Sequence, residues 1–203
     1  MIDIYYNLSG DKVAVDNSYH LFSAVCRLWD EVHWREDIAI MPIKGPFTPP
    51  ERELTPHRVM LRVKENDLPI IKDLVGKTLS INGAEVKIDR LERINPLLPK
   101  EKLFSRLVIG KDKTTQRELL DFARDELARI GVAGKAELMR RSGDLGNRDP
   151  FVRRTLDIKG VNIVGYAVTV DGLSPEDSIK LQELGIGGRR HFGCGVFVGG
   201  QGK

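Results

Sequence analysis

The chain has 203 residues, of which 41% are hydrophobic and 30% charged, and a net charge of +3. That balance reads as a globular protein, not a disordered one, with enough chain for one large domain or two small ones. No apolar run reaches bilayer length, the start "MIDIYYNLSG" lacks the basic and apolar regions of a secretory signal, and two cysteines without CxxC or HxxxH spacing argue against a zinc site; the expectation is a reduced, cytoplasmic protein with no membrane partner.

Ile2, Ile4, Tyr6 and Leu8 alternate at period two and predict a half-buried first strand. Leu21, Phe22, Val25, Cys26, Leu28, Trp29 and Val32 recur at helical spacing, with Asp16, Asn17 or Ser18 as start signals. "DIAIMPIKG" and "HRVMLRV" predict two strands separated by a Pro-rich loop. "DLPIIKDLVG" predicts a short helix closed by Gly76, and residues 78–94 a hairpin turning at Asn82-Gly83. This is the order of a ferredoxin-like unit. "NPLLPK" (95–100) interrupts it, and the domains are expected at 1–95 and 100–203.

The same order recurs in the second half. "LFSRLVIG" (103–110) predicts a strand, and the helix after it carries a capping box at Thr115 and Glu118 with Gly131 as its stop. "AELMR" predicts a strand and residues 154–172 a long hairpin. The last helix has Ser174 at its cap, Pro175 in its first turn and Asp177 at the third position, and a glycine loop then leads into a strand "CGVFV". The predicted fold class is α+β, with two tandem ferredoxin-like (RRM-like) βαββαβ domains.

The loop lies in "ELGIGGRRHFGCGVFV" (183–198). A dinucleotide or P-loop site needs strand, glycines, then helix, and here the glycines follow a helix; no GxxxxGK[ST] is present. His191 and Cys194 alone are too few ligands for a metal. Gly185 reads as a helix C-cap, and Gly193 and Gly195 can simply flank a strand. Gly187, Gly188, Arg189 and Arg190 point beyond that to an anion-facing loop with forked guanidinium contacts to phosphate.

"GIGGRRHFGCG" has the form Gly-apolar-Gly, five residues including basic ones, then Gly-apolar-Gly, just before the final strand. It resembles the C-terminal glycine-rich loop of CRISPR-associated endoribonucleases of the Cas6 superfamily, and residues 163–198 and 33–45 resemble further segments of that family. The resemblance implies an enzyme that cuts CRISPR repeat RNA without metal or other cofactor. The ribose 2′-hydroxyl attacks the adjacent phosphate, leaving 2′,3′-cyclic phosphate and 5′-hydroxyl ends. Its partner would be repeat RNA, a hairpin in many cases, together with other subunits of a CRISPR effector complex.

Such a reaction needs a base, an acid and positive donors, and histidine titrates in the working range. Of the four histidines, His20 opens the first helix facing away from its apolar stripe, where the resemblance implies a catalytic histidine. His33 reads as structural at the end of that helix and His57 as a surface residue. Tyr19 and Tyr166 are further catalytic candidates, with Ser18 behind them. For RNA binding the candidates are the loop residues Gly185, Gly187, Gly188, Arg189, Arg190, His191, Gly193 and Gly195. To these are added Arg140, Arg141, Arg148, Arg153 and Arg154, from a stretch with five arginines against two aspartates. The alternatives are a non-catalytic RNA-binding subunit on the same fold, or an unrelated ferredoxin-like protein that binds a small anion.

Overall fold

In a computed structural model the described residues are 1–48, 53–143 and 149–200. The chain divides into two compact units, Met1–Leu97 and Leu98–Lys203.

In the first unit the alternating segment becomes β1 (Ile2–Gly10), whose Ile2, Ile4, Tyr6 and Leu8 are all buried. β2 (Val13–Ala14) and α1 (Ser18–Leu28) follow, then a 3-10 turn over Asp30–His33. Thus His33 is not on the first helix, as the periodicity predicted. Trp29 leaves helical geometry with φ −146° and ψ 88°, yet Trp29 and Val32 both stay in the core, which is why their spacing imitated a continuing helix. β3 is only Ala39–Ile40, because Pro42 has no N–H to continue the ladder. β4 (Phe47–Thr48) and β5 (Glu53–Leu54) join β2 in a small sheet where only a loop was expected. β6 (Arg58–Val63), α2 (Leu68–Asp73), β7 (Thr78–Ile81) and β8 (Ala84–Pro96) complete the unit. Asn82 and Gly83 both take positive φ, 50° and 89°, as a tight hairpin turn requires.

The sheet order β3-β6-β1-β8-β7 is the antiparallel ferredoxin-like order with β7 added at one edge. β8 carries two extra residues against β1: the pairing moves from Tyr5↔Arg93 to Tyr6↔Leu91, and from Asn7↔Arg90 to Leu8↔Ile88. The residues left over are Glu92, which accepts from Arg58 at 2.8 Å, and Asp89, which accepts from Ser9 Oγ at 2.8 Å. On the face of β1 away from the helix, Asp3 takes the Arg62 guanidinium bidentately at 2.6 and 2.9 Å.

The second unit runs β9 (Leu103–Val108), α3 (Gln116–Arg129), β10 (Lys135–Leu138), β11 (Arg153–Ile158), β12 (Val161–Asp171), α4 (Pro175–Leu184) and β13 (Val198–Gly199). Its sheet order, β10-β12-β9-β13 with β11 also on β12, repeats the ferredoxin-like pattern. The capping box forms as expected: Thr115 Oγ1 accepts from the Glu118 N–H at 3.3 Å while Glu118 accepts from the Thr115 N–H at 3.1 Å. Ser174 caps α4 by accepting from the Asp177 N–H at 3.1 Å. The final strand is shorter than "CGVFV", because Gly195 takes φ 64° and cannot lie in a ladder.

Candidate functional site

His20 sits in the first turn of α1. The buried stripe of that helix is Ser18, Leu21, Ala24 and Val25, so His20 lies off it and is half-buried. The Tyr19 ring stands edge-on to the imidazole, with centroids 5.2 Å apart. The helix start is held by Asn17, though not as a cap: its side chain accepts from the Ile43 N–H at 2.9 Å and donates to the Ala14 carbonyl at 3.0 Å. Asn17 is 1% exposed, so it locks the segment that aims Tyr19 and His20. Ser18 is buried. His57 is exposed just before β6, and His33 stacks on Phe22 with centroids 6.1 Å apart.

Tyr166 belongs to the core of the second unit. It is 3% exposed among Leu103, Val168 and Val170, and its hydroxyl donates to Asp149 at 3.2 Å. Burial, followed by the Asp149 charge, pushes its phenol up from the usual tyrosine range. Its hydroxyl is thus engaged inside the second unit, with the phenol kept protonated. Asp149 is the residue the sequence reading missed. It also accepts from Gln116 Nε2 at 3.0 Å and the Phe151 N–H at 2.9 Å, joining α3, β12 and the arginine-rich loop. Its one sequence signal is the Asp-Pro pair that starts a turn.

The glycine loop is built by the protein's own backbone. Gly185 ends α4 with φ 64° and its N–H on the Leu181 carbonyl at 2.9 Å. The Ile186 N–H donates to the Gly195 carbonyl at 3.3 Å, and the Gly195 N–H to the Leu107 carbonyl at 2.7 Å. A Cβ on Gly185 would fall on the Gly195 carbonyl oxygen, one on Gly195 on that of Ile186, and one on Gly187 within 2.6 Å of that of Ile109. Gly193 has φ 73°. At these four glycines the close neighbour or the turn is internal, so RNA is not needed to explain them. Gly188 differs: among the described residues nothing lies within 4 Å of its Cβ position.

Arg190 turns back to the end of α4 and donates to the carbonyls of Glu183, at 2.5 Å, and Leu184. There it acts as a helix C-cap, where a cation also suits the helix dipole. Gly188 and Arg189 form the exposed rim with half-buried His191 beside them, and Arg189 holds the left-handed conformation at φ 65°. The loop also has an acidic neighbour. Glu126 accepts from the Gly187 N–H at 3.4 Å, and its carboxyl is held below the usual range by Arg129 first and that N–H second.

Among the arginines, Arg140 lies over the Phe151 ring at 5.1 Å, and Arg141 donates to the Phe151 carbonyl at 3.1 Å. Both therefore close the base of their own loop. Arg153 and Arg154 are exposed on β11, and Arg148 lies outside the described residues. Partial burial, and after it the neighbouring Arg141 charge, lowers the Arg154 guanidinium from its ordinary range. Arg141 and Arg154 thus share a region of like charge that an anion would relieve, while Arg153, the next residue on the strand, acts on Tyr166.

A family model described as Cas6 Crispr matches residues 2–202. A curated relative from Myxococcus xanthus, named CRISPR-associated endonuclease Cas6, is 30% identical over 198 residues, covering 97% of this chain and 80% of the relative. A solved structure described as CRISPR associated protein Cas6 superposes with a TM-score of 0.67 at 13% identity, covering 98% of this chain and 99% of that one. Another, described as a RAMP protein binding different RNA substrates, gives 0.63 at 12% identity, covering 97% and 98%. At those identities the two structures speak for the fold, which agrees with the paired ferredoxin-like sheets, while the family model spans almost every residue. The chain belongs to the Cas6 family.

Proposed function

We propose that this protein is a metal-independent endoribonuclease that cuts CRISPR repeat RNA and retains the product. The observation that carries the reading is His20, a half-buried imidazole on the first turn of α1, off the apolar stripe and edge-on to Tyr19. In this reading His20 takes the proton of the attacking 2′-hydroxyl. The 2′-oxygen bonds to phosphorus, the bond from phosphorus to the 5′-oxygen breaks, and Tyr19 protonates the leaving oxygen. The products are a 2′,3′-cyclic phosphate and a 5′-hydroxyl. His20 gains one proton and Tyr19 loses one, and exchange with water restores both. Arg189 and His191 on the rim, with Arg141, Arg153 and Arg154, contact phosphates of a repeat hairpin.

The test is cleavage of a labelled repeat RNA by the purified protein in EDTA. His20→Ala is expected to slow cleavage by about 10²- to 10⁴-fold, the usual contribution of a general acid or base. A 2′-deoxy substitution at the cut nucleotide should abolish it. Equal cleavage by His20→Ala would remove His20 from the mechanism. Tight binding of the repeat by wild type with no cleavage would favour the non-catalytic RNA-binding subunit.

A further inference from the structure

The second unit carries a groove of about 1150 Å³ that none of the RNA chemistry above uses, apart from Arg140 at its rim. Its volume exceeds the roughly 300–1,000 Å³ of small-molecule pockets, which suits a length of polymer. One wall is α3, through Arg117, Leu120, Asp121 and Arg124, the stripe beside the buried Leu119, Ala123 and Leu127. The lining also takes in all of β10 (Lys135–Leu138) with Met139, continuing from Glu137 across the sheet to Thr169 of β12 and Phe104 of β9. Consecutive strand residues point to opposite faces, so a wall that includes both parities is the strand's edge. β10 is the outermost strand on its side of the sheet. A groove between a helix and an exposed strand edge is a standard place for a peptide segment to dock.

We infer that this groove binds a segment of a partner protein whose apolar side chains are flanked by Asp or Glu. Phe104, Leu120, Met139 and Phe151 supply partly exposed apolar surface to the lining. The charged lining residues are five cations against two carboxylates, and with Asp171, which pairs with Lys102 at 2.9 Å just outside the lining, a positive excess remains that favours an acidic occupant. The placement of the carboxylates selects protein over nucleic acid. Asp121 stands between Arg117 and Arg124, at 3.8 and 3.4 Å, and Glu137 holds Lys135 at 2.6 Å. A continuous phosphate chain would have to pass both carboxylates, whereas a peptide can place single acidic residues opposite the net positive positions.

The experiment is selection of random 12-residue peptides displayed on phage against the immobilised full-length protein. Enriched peptides are then synthesised and titrated by fluorescence anisotropy. The expected result is enrichment of sequences that combine Leu, Ile or Phe with Asp or Glu. Leu120→Glu and Arg124→Glu, separately, should each weaken their binding at least tenfold. Both positions are partly or fully exposed on α3, and an unchanged melting curve for each variant excludes misfolding. Peptides that bind both variants as well as wild type, or no enrichment at all, would overturn the inference. So would a labelled oligouridylate that binds wild type and is lost in both variants, since that would make the groove a nucleic-acid surface.

Discussion

Replacing Gly195 with alanine should unfold far more of the protein than replacing Gly188, although both belong to the same glycine-rich motif. At Gly195 the backbone has φ 64°, and an added Cβ falls on the Ile186 carbonyl oxygen. The left-handed conformation costs an L-residue roughly 1–2 kcal/mol. Forcing apart two backbone segments adds an overpacking cost of about 1–3 kcal/mol. The Gly195 N–H also holds the Leu107 carbonyl at 2.7 Å, so displacement loosens the end of β9 as well. A total of about 2–5 kcal/mol should lower the melting temperature of the second unit by about 8 °C or more, at roughly 4 °C per kcal/mol for a domain of about 100 residues. Gly188→Ala meets open space and should stay within about 0.5 kcal/mol of wild type. Calorimetry or circular dichroism on the two variants decides the matter. If Gly195→Ala melts with wild type, or if the two variants melt alike, the glycines do not serve the loop's own packing.

Tyr166→Phe should keep its place in the core, lose one hydrogen bond to Asp149 and destabilise the protein by about 1 kcal/mol; a large fall in cleavage rate with stability intact would mark Tyr166 as a catalytic residue. Arg35 holds Asp37 at 2.8 Å, and this hydrogen bond with its charge keeps the Asp37 carboxyl well below the usual range. The stabilisation this gives is complete above the unfolded-state pKa of about 3.9 and is lost as pH falls below it, so Asp37→Asn should destabilise at neutral pH and converge with wild type in acid-denaturation curves. Arg153→Ala should weaken binding of repeat RNA and reduce the slope of log affinity against log salt by about one; an unchanged slope would mean that Arg153 faces no phosphate.

Features set by local sequence were legible. The capping box at Thr115, the Ser174 cap and the Asn82-Gly83 turn each depend on residues within a few positions of one another, and each appears where its residues predict it. The small sheet of β2, β5 and β4 was not legible, because two-residue strands have no period and Val13 pairs with Leu54 across 41 positions. The glycine motif was visible but its cause was not. The Ile109 carbonyl crowds Gly187 and the Leu107 carbonyl accepts from the Gly195 N–H, both remote in sequence, so close approach by RNA and close approach by the end of β9 left the same residues on the page. The burial of Tyr166 was legible. It shares parity with the buried Val168 and Val170 on β12.

The two extra residues of β8 have a consequence for how this strand tolerates changes in length. Each unmatched residue absorbs one position without a partner on β1, so the paired residues on either side keep their facing: Ile94, Leu91 and Ile88 lie opposite Ile4, Tyr6 and Leu8. Loss of Asp89 alone would remove one bulge and leave Asn7↔Arg90 and Leu8↔Ile88 as adjacent regular pairs, so Val86 and Ile88, both buried here, would stay in the core at the cost of the Ser9 contact. Loss of Glu92 would likewise make Tyr5↔Arg93 and Tyr6↔Leu91 regular neighbours, at the cost of the Arg58 contact. Single-residue deletions are therefore expected to be tolerated at these two positions.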